Sequence, residues 1–280
     1  MFKFKLNLFL FVLVILFKLN QAIYNSTFAQ IGVYLSGAAY CGKDKYSSMV
    51  LDGPAKGFVV TGTLYDRSTD MQGYIGYLDL TKSIHIVLRG SSSVLNWLDD
   101  FEVKQVPYDS WSECGCNVHN GFYKAALGLS NETIRQIKLL KIIKPTYKIY
   151  INGHSLGASV TDLLSMELLK EQIETIFYGY GKPRVGDKTY AEFVDLKNKQ
   201  NHHRHTHNKD IVPHVPPIEG FGYYHSCQEI FEDSTGQIKF CSQTDCEDIT
   251  CGDKYPLYQT SSDDHLYYLG HRVNCEESTM

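Results

Sequence analysis

The sequence predicts an α/β protein, a single domain with a mostly parallel central sheet covered by helices on both faces. Three observations carry that expectation. Runs rich in Val, Ile, Thr and Tyr alternate with stretches of helical periodicity, the pattern of strand–helix–strand crossovers. The chain has 280 residues, 43% of them hydrophobic and 21% charged, enough to bury a sizeable core, and no linker or low-complexity tract divides it. Gly153-His154-Ser155-Leu156-Gly157 stands where a strand pattern gives way to a helical one, a turn that such a sheet uses to expose a serine.

The first residues are read apart from the fold. Lys3 and Lys5 precede an unbroken apolar run from Leu8 to Phe17, and Ala22 closes a short polar stretch, so residues 1–22 read as a cleaved signal peptide and 23–280 as the domain. The run is shorter than the ~20 apolar residues a membrane span needs. The cut would leave no spanning segment and would remove Lys3, Lys5 and Lys18 from a chain whose formal charge is −4. No basic block is present, which argues against a nucleic-acid partner.

The elements follow in order. Phe28, Ile31, Tyr34, Leu35 and Ala38 recur at helical spacing up to Cys41-Gly42, a helix with a glycine stop. Val59 to Tyr65, Gly73 to Leu80 and Ser83 to Leu88 read as strands. Residues 119–144 carry a helical stripe through Phe122, Ala125, Ala126, Leu129 and Ile134. Tyr147 to Asn152 reads as a buried strand leading into the Gly153 turn, and Val160, Leu163, Leu164 and Leu168 make the stripe of the helix that follows. A strand near Thr175–Tyr180 and a helix around Thr189–Leu196 come next, and His205 and His207 repeat at strand spacing on the way to Asp210. The histidine-rich run from His202 to His207 also suggests a metal, but a strand accounts for it better, and no metal or other cofactor is expected.

Gly-x-Ser-x-Gly alone arises by accident in roughly one chain in ten of this length. Its flanks make it more specific. A serine hydroxyl is a weak nucleophile until a base takes its proton, so it is held exposed on a sharp turn, and glycines two residues to either side remove clashing Cβ atoms. Such a turn calls for an acid and then a histidine later in the chain. Asp210 precedes Ile211-Val212-Pro213-His214-Val215-Pro216-Pro217, where prolines stiffen the backbone behind the carboxylate. His265 follows near the end, with Asp263 and Asp264 as rival acids too close in sequence to turn back on its ring. The roles follow: Ser155 as nucleophile, His265 as general base, Asp210 as orienting acid.

The eight cysteines, Cys41, Cys114, Cys116, Cys227, Cys241, Cys246, Cys251 and Cys275, all lie beyond the leader, an even number suited to an oxidising compartment. Their pairing is open on sequence alone; the last cluster lacks the C-x2-C spacing of a zinc site. Asn25-Ser26-Thr27 and Asn131-Glu132-Thr133 are N-glycosylation sequons, meaningful in a secreted protein.

Taken in order, Leu88-Arg89-Gly90-Ser91 with Asn96-Trp97, Val118 to Phe122, Gly153 to Gly157, Tyr180-Gly181-Lys182-Pro183-Arg184-Val185-Gly186, Asp210 to Pro217 and His265 resemble the class 3, fungal-type lipases of α/β-hydrolase fold. The resemblance covers roughly residues 28–275. It implies an oxyanion hole from Leu156 and Ser91, and a lid over Ser92 to Phe101, with Val94, Leu95, Trp97, Leu98 and Phe101 on an apolar face opposite Asn96, Asp99 and Asp100. The competing reading of Trp97 is plain core packing. The resemblance also implies a Cys41–Cys275 staple and two local bridges among the four cysteines of 227–251. Cys114-Gly115-Cys116 is tighter than the loop fungal relatives bridge, which leaves that bond open, and Ala158 replaces a common glycine.

The activity so implied is hydrolysis of acylglycerol esters by a secreted or lumenal monomer at a lipid–water interface. Phospholipase A1 and feruloyl or aryl-ester esterase activities share the same machinery. Acyl transfer to another alcohol would need a water-poor pocket, and a non-catalytic lipid-binding module is the alternative of a different class.

Overall fold

A computed structural model describes residues 24–100, 102–198 and 200–275 of the chain. The expected leader, 1–22, and Phe101 lie outside the described residues.

In chain order the main elements are α1 (Ser26–Ala38), β1 (Val59–Asp66), β2 (Met71–Leu78), β3 (Ser83–Leu88), α2 (Val94–Asp99), β4 (Gln105–Pro107), β5 (Asn117–His119), α3 (Asn120–Ile143), β6 (Lys148–His154) and α4 (Leu156–Lys170). They continue with β7 (Ile176–Tyr180), β8 (Gly186–Asp187), α5 (Lys188–Asn198), β9 (His202–His207), β10 (Tyr223–Tyr224), β11 (Glu229–Glu232), β12 (Ile238–Phe240), β13 (Tyr267–Tyr268) and β14 (His271–Arg272).

Eight strands form the central sheet in the order β1-β2-β3-β6-β7-β9-β11-β12. Its middle, β3-β6-β7-β9-β11, is parallel throughout. The edges are not: β1, β2 and β3 make an antiparallel meander, and β12 turns back against β11. Side chains alternate across the strands, which sorts them between two cores. Ile84, Ile86 and Leu88 of β3 and Ile149 and Ile151 of β6 face α3 and α4, meeting Phe122, Leu129, Val160, Leu163, Leu164 and Leu168. Tyr74, Leu78 and Val87 face Ile31 and Leu35 of α1, and Tyr150, Tyr178 and Tyr180 face its Ala29 and Val33. Each aliphatic side chain fully buried this way contributes about 1.5–3 kcal/mol.

The β9 strand departs from a one-face-in pattern, since His202 through Thr206 are all buried. The parallel sheet is covered on both faces there, so alternation chooses a face without choosing solvent. Burial pushes His203 and His205 down to about 3, leaving both neutral.

Two small sheets lack a sequence signature. β10-β8-β5-β4 is antiparallel, with strands of two or three residues, and β13 pairs with β14 next to His265. Disulfides join Cys41 to Cys275, Cys114 to Cys116, Cys227 to Cys246 and Cys241 to Cys251. The two clusters of three possible metal ligands among the described residues each use cysteines already in these bridges. Asn25 is exposed and caps α1, its Oδ1 accepting from Thr27 N at 2.9 Å. Asn131 is exposed midway along α3, while Thr133 is buried.

Candidate active site

Ser155 is where β6 ends and α4 begins. It holds φ 59° and ψ −134°, a conformation few non-glycine residues adopt, and its amide donates to Tyr180 O at 2.9 Å. The glycines make the crowding tolerable. A Cβ on Gly153 would lie 2.5 Å from Gly157 O, and one on Gly157 would lie 2.4 Å from Leu88 O. Gly90, beside Ser91 after β3, is pressed equally close: a Cβ there would lie 2.7 Å from that of Ser155. The Ser91 turn and the Ser155 turn are therefore in direct contact.

His265 and Asp210 come together across 55 residues of chain. His265 Nδ1 lies 2.8 Å from Asp210 Oδ2. Since an ionised carboxylate only accepts, Nδ1 carries the proton and Nε2 presents a lone pair. Asp210 Oδ1 accepts from Val212 N at 2.8 Å, and the Tyr268 hydroxyl donates to Oδ2. Burial alone would raise the Asp210 pKa. The His265 ring, with its hydrogen bond and those from Tyr268 and Val212, outweighs burial and holds the carboxyl below its ordinary range. Gly181, at φ +57°, closes the floor, because a Cβ there would lie 2.7 Å from the His265 ring and 2.8 Å from Asp210 Oδ2.

The carboxyl of Asp264 turns elsewhere, accepting from Asn208 Nδ2 at 3.1 Å and Lys209 N at 3.3 Å. Asp210 is the acid on the His265 ring.

Ser155 Oγ and His265 Nε2 are completely buried, and neither has a hydrogen-bond partner among the described residues. Both residues are 0% exposed, so this is a closed state that a substrate reaches only after something moves. The α2 helix begins three residues after Ser91, capped by Ser93 Oγ. Trp97 and Leu98 are half-buried, with Trp97 packed against the main core, while Asn96, Asp99 and Asp100 are exposed. The side chains of Val94 and Leu95 lie outside the described residues. Ser91 Oγ donates to Ser93 O at 3.1 Å, and both Ser91 and Leu156 are half-buried.

Two partners of the site have no motif of their own in the sequence reading. Tyr268 is one. The other is His154, inside the glycine turn. Its Nε2–H donates to His265 O at 2.8 Å, so its Nδ1 accepts from Tyr40 Oη at 2.7 Å, and Tyr40 Oη accepts from Gly90 N at 3.2 Å. Burial, helped by the neighbouring His265 ring, pushes His154 down to about 3, so this chain stays neutral. It ties the Ser91 turn to the backbone of His265. Nothing in the residue types around Tyr40 marks it, since its partner is 114 residues away.

A serine on a strained strand-to-helix turn, at the end of a parallel sheet, followed in chain order by an acid and a histidine that meet beside it, defines an α/β-hydrolase. The comparisons with known proteins narrow this. The profile of the class 3 lipases matches residues 85–220. A lipase of Rhizomucor miehei is 33% identical over 208 residues, covering 72% of this chain and 56% of its own. A secreted mono- and diacylglycerol lipase of Penicillium cyclopium is 30% identical over 210 residues, covering 72% of this chain and 67% of its own. The solved structure of the Rhizomucor miehei triacylglyceride lipase superposes with a TM-score of 0.80 at 28% identity, over 88% of this chain and 95% of that one. The chain belongs to the class 3 lipase family, and it spans about half the length of several curated relatives it matches, 56% for the first.

Proposed function

We propose that this protein is a secreted carboxylic-ester hydrolase of the triacylglycerol lipase type, working through an acyl-enzyme on Ser155. The observation that carries the reading is the buried His265–Asp210 pair against the turn that holds Ser155 at positive φ, where His154 Nε2 donates to His265 O, with His265 Nε2 left as a free acceptor. Ser155 Oγ attacks the ester carbonyl carbon while its proton passes to His265 Nε2, and Asp210 stabilises the imidazolium that forms. The negative oxygen of the tetrahedral intermediate takes the Leu156 and Ser91 amides as donors; losing one such donor typically costs about 100–1000-fold in rate. Collapse expels the alcohol, which takes the proton from His265. Water then repeats the sequence in reverse and frees the fatty acid.

In this reading α2 has the part of a lid, whose apolar face, including Trp97 and Leu98, meets lipid when it opens; the burial of Ser155 and His265 supports it. Four disulfides and relatives named as secreted lipases support an extracellular place for a monomer acting at a lipid–water interface, with residues 1–22 as the leader and Asn25, whose sequon threonine is also exposed, as the better glycan acceptor. The test is Ser155→Ala on purified protein with p-nitrophenyl butyrate. Hydrolysis should be abolished, and activity that persists refutes the assignment. A panel of triglyceride, phospholipid and feruloyl esters then separates lipase from phospholipase A1 and esterase. A rate on tributyrin that jumps as droplets form supports the lid, and a smooth saturation curve opposes it.

A further inference from the structure

The loop behind Asp210 is held in an unusual way. Residues 213–216 pair their carbonyls with no strand or helix beyond one 3-10 turn, yet each one accepts a hydrogen bond from one of two residues. His225 Nε2 donates to Pro213 O at 2.8 Å. Arg184 Nη1 donates to His214 O at 2.7 Å and to Pro216 O at 3.2 Å, and the Arg184 amide donates to Val215 O at 2.9 Å. Arg184 is buried, and a buried guanidinium needs both charge and geometry satisfied.

Glu247 supplies both. Its carboxylate accepts from Arg184 Nη2 at 2.8 Å and Nε at 3.1 Å, a two-pronged pairing, and from the His225 amide at 2.7 Å. Glu247 thus grips the two residues that cap the loop. It is fixed in turn by the adjoining Cys227–Cys246 bridge and by Arg204 Nη2, which donates to Cys246 O at 2.9 Å. Asp253 Oδ1 also accepts from Arg184 Nη2 at 3.4 Å, though burial beside Glu247 pushes its carboxyl up to about 7.

We propose that Glu247 is a positioning residue for the ester hydrolysis: through Arg184 and His225 it fixes residues 213–216, and so the Val212 amide and the Asp210 carboxylate that orient His265. The inference rests on the reading of Ser155, Asp210 and His265 given above. It assigns the disulfide-bridged segment around Cys246 a part in catalysis. A misplacement of about 1 Å at a reacting group, transmitted from a distance, costs up to about 100-fold in rate.

The test uses the full secreted chain. In Glu247→Ala, kcat on soluble p-nitrophenyl butyrate should fall about 10- to 100-fold with KM little changed. The low-field proton resonance of the His265 Nδ1–H should broaden or disappear in the same variant. Glu247→Gln keeps one acceptor oxygen for the His225 amide and Arg184 Nε but loses the charge and the acceptor on Arg184 Nη2, so its kcat and resonance should fall between those of the parent and Glu247→Ala. A purely structural role would lower the melting temperature of Glu247→Ala and leave kcat and the resonance as in the parent, and that result overturns the proposal. Should Glu247→Ala not fold, Arg184→Lys decides on the same readouts: it keeps the charge and loses the fork to His214 and Pro216, and unchanged kcat refutes the proposal. A Ser155→Ala control that stays active would refute the triad instead, so the two failures are distinguishable.

Discussion

Replacing Tyr268 by Phe removes one oxygen atom and, with it, one of the donors to a buried carboxylate. Asp210 keeps His265 Nδ1 and Val212 N. A hydrogen bond to a charged acceptor is worth about 1.5–3 kcal/mol, and the phenyl ring fills the same space, so no cavity adds to the loss. With a urea m-value of about 3 kcal/mol/M, the midpoint should fall by about 0.5–1 M at pH 7. The pH dependence follows from the sign of the Asp210 shift. Its pKa is lowered in the fold, so its stabilisation is fully present above the unfolded value of about 3.9 and is lost as pH falls through the folded one. The unfolded state is common to parent and variant, so the gap between them should be constant from about pH 5 to 8 and narrow only below the unfolded value of about 3.9, as pH falls through the lowered folded values and Asp210 takes its proton in both folds. Tyr268 stays a donor over that whole range, because burial, with the neighbouring Asp210 charge, holds its hydroxyl well above the usual phenol value. Urea titrations followed by tryptophan fluorescence at several pH values measure it. An unchanged midpoint at pH 7, or a gap that does not narrow in acid, would refute the account of how Asp210 is kept ionised.

Two further outcomes follow from the same structure. Ser155→Gly should be inactive yet more stable by about 1 kcal/mol, since relief of a backbone strained by about 1–3 kcal/mol exceeds the added freedom of glycine in the unfolded chain; calorimetry showing destabilisation would mean that the turn stores no strain. Replacing Cys41 and Cys275 together by Ser opens a loop of sequence separation 234, for which chain entropy predicts a loss of about 5 kcal/mol, read as a lower denaturation midpoint under non-reducing conditions.

Elements with a repeating local pattern were legible from the residues. β3 runs from Ser83 to Leu88 as its β-branched composition suggested, and α3 spans Asn120–Ile143 against an expected 119–144. The order Ser155, Asp210, His265 was readable too, because a strained turn needs its glycines in the chain itself, and the prolines behind Asp210 announce a rigid loop. The antiparallel meander of β1 to β3 was not. A strand's composition marks it as a strand, while its direction relative to a neighbour depends on how the connection crosses the sheet. The strands of two or three residues are too short to show a period at all.

By itself, then, the sequence determined where the chain turns, where it alternates, and that a serine is mounted at Gly153–Gly157 with an acid and a histidine to follow. These are properties of residues within about ten positions of one another, set by backbone sterics and side-chain period. Only the tertiary structure decided what surrounds them: Tyr268 on Asp210 across 58 residues, Tyr40 on His154 across 114, and Glu247 on Arg184 across 63. A buried charge or donor must be answered by whichever group the packing brings within about 3 Å, and no local pattern along the chain encodes that meeting.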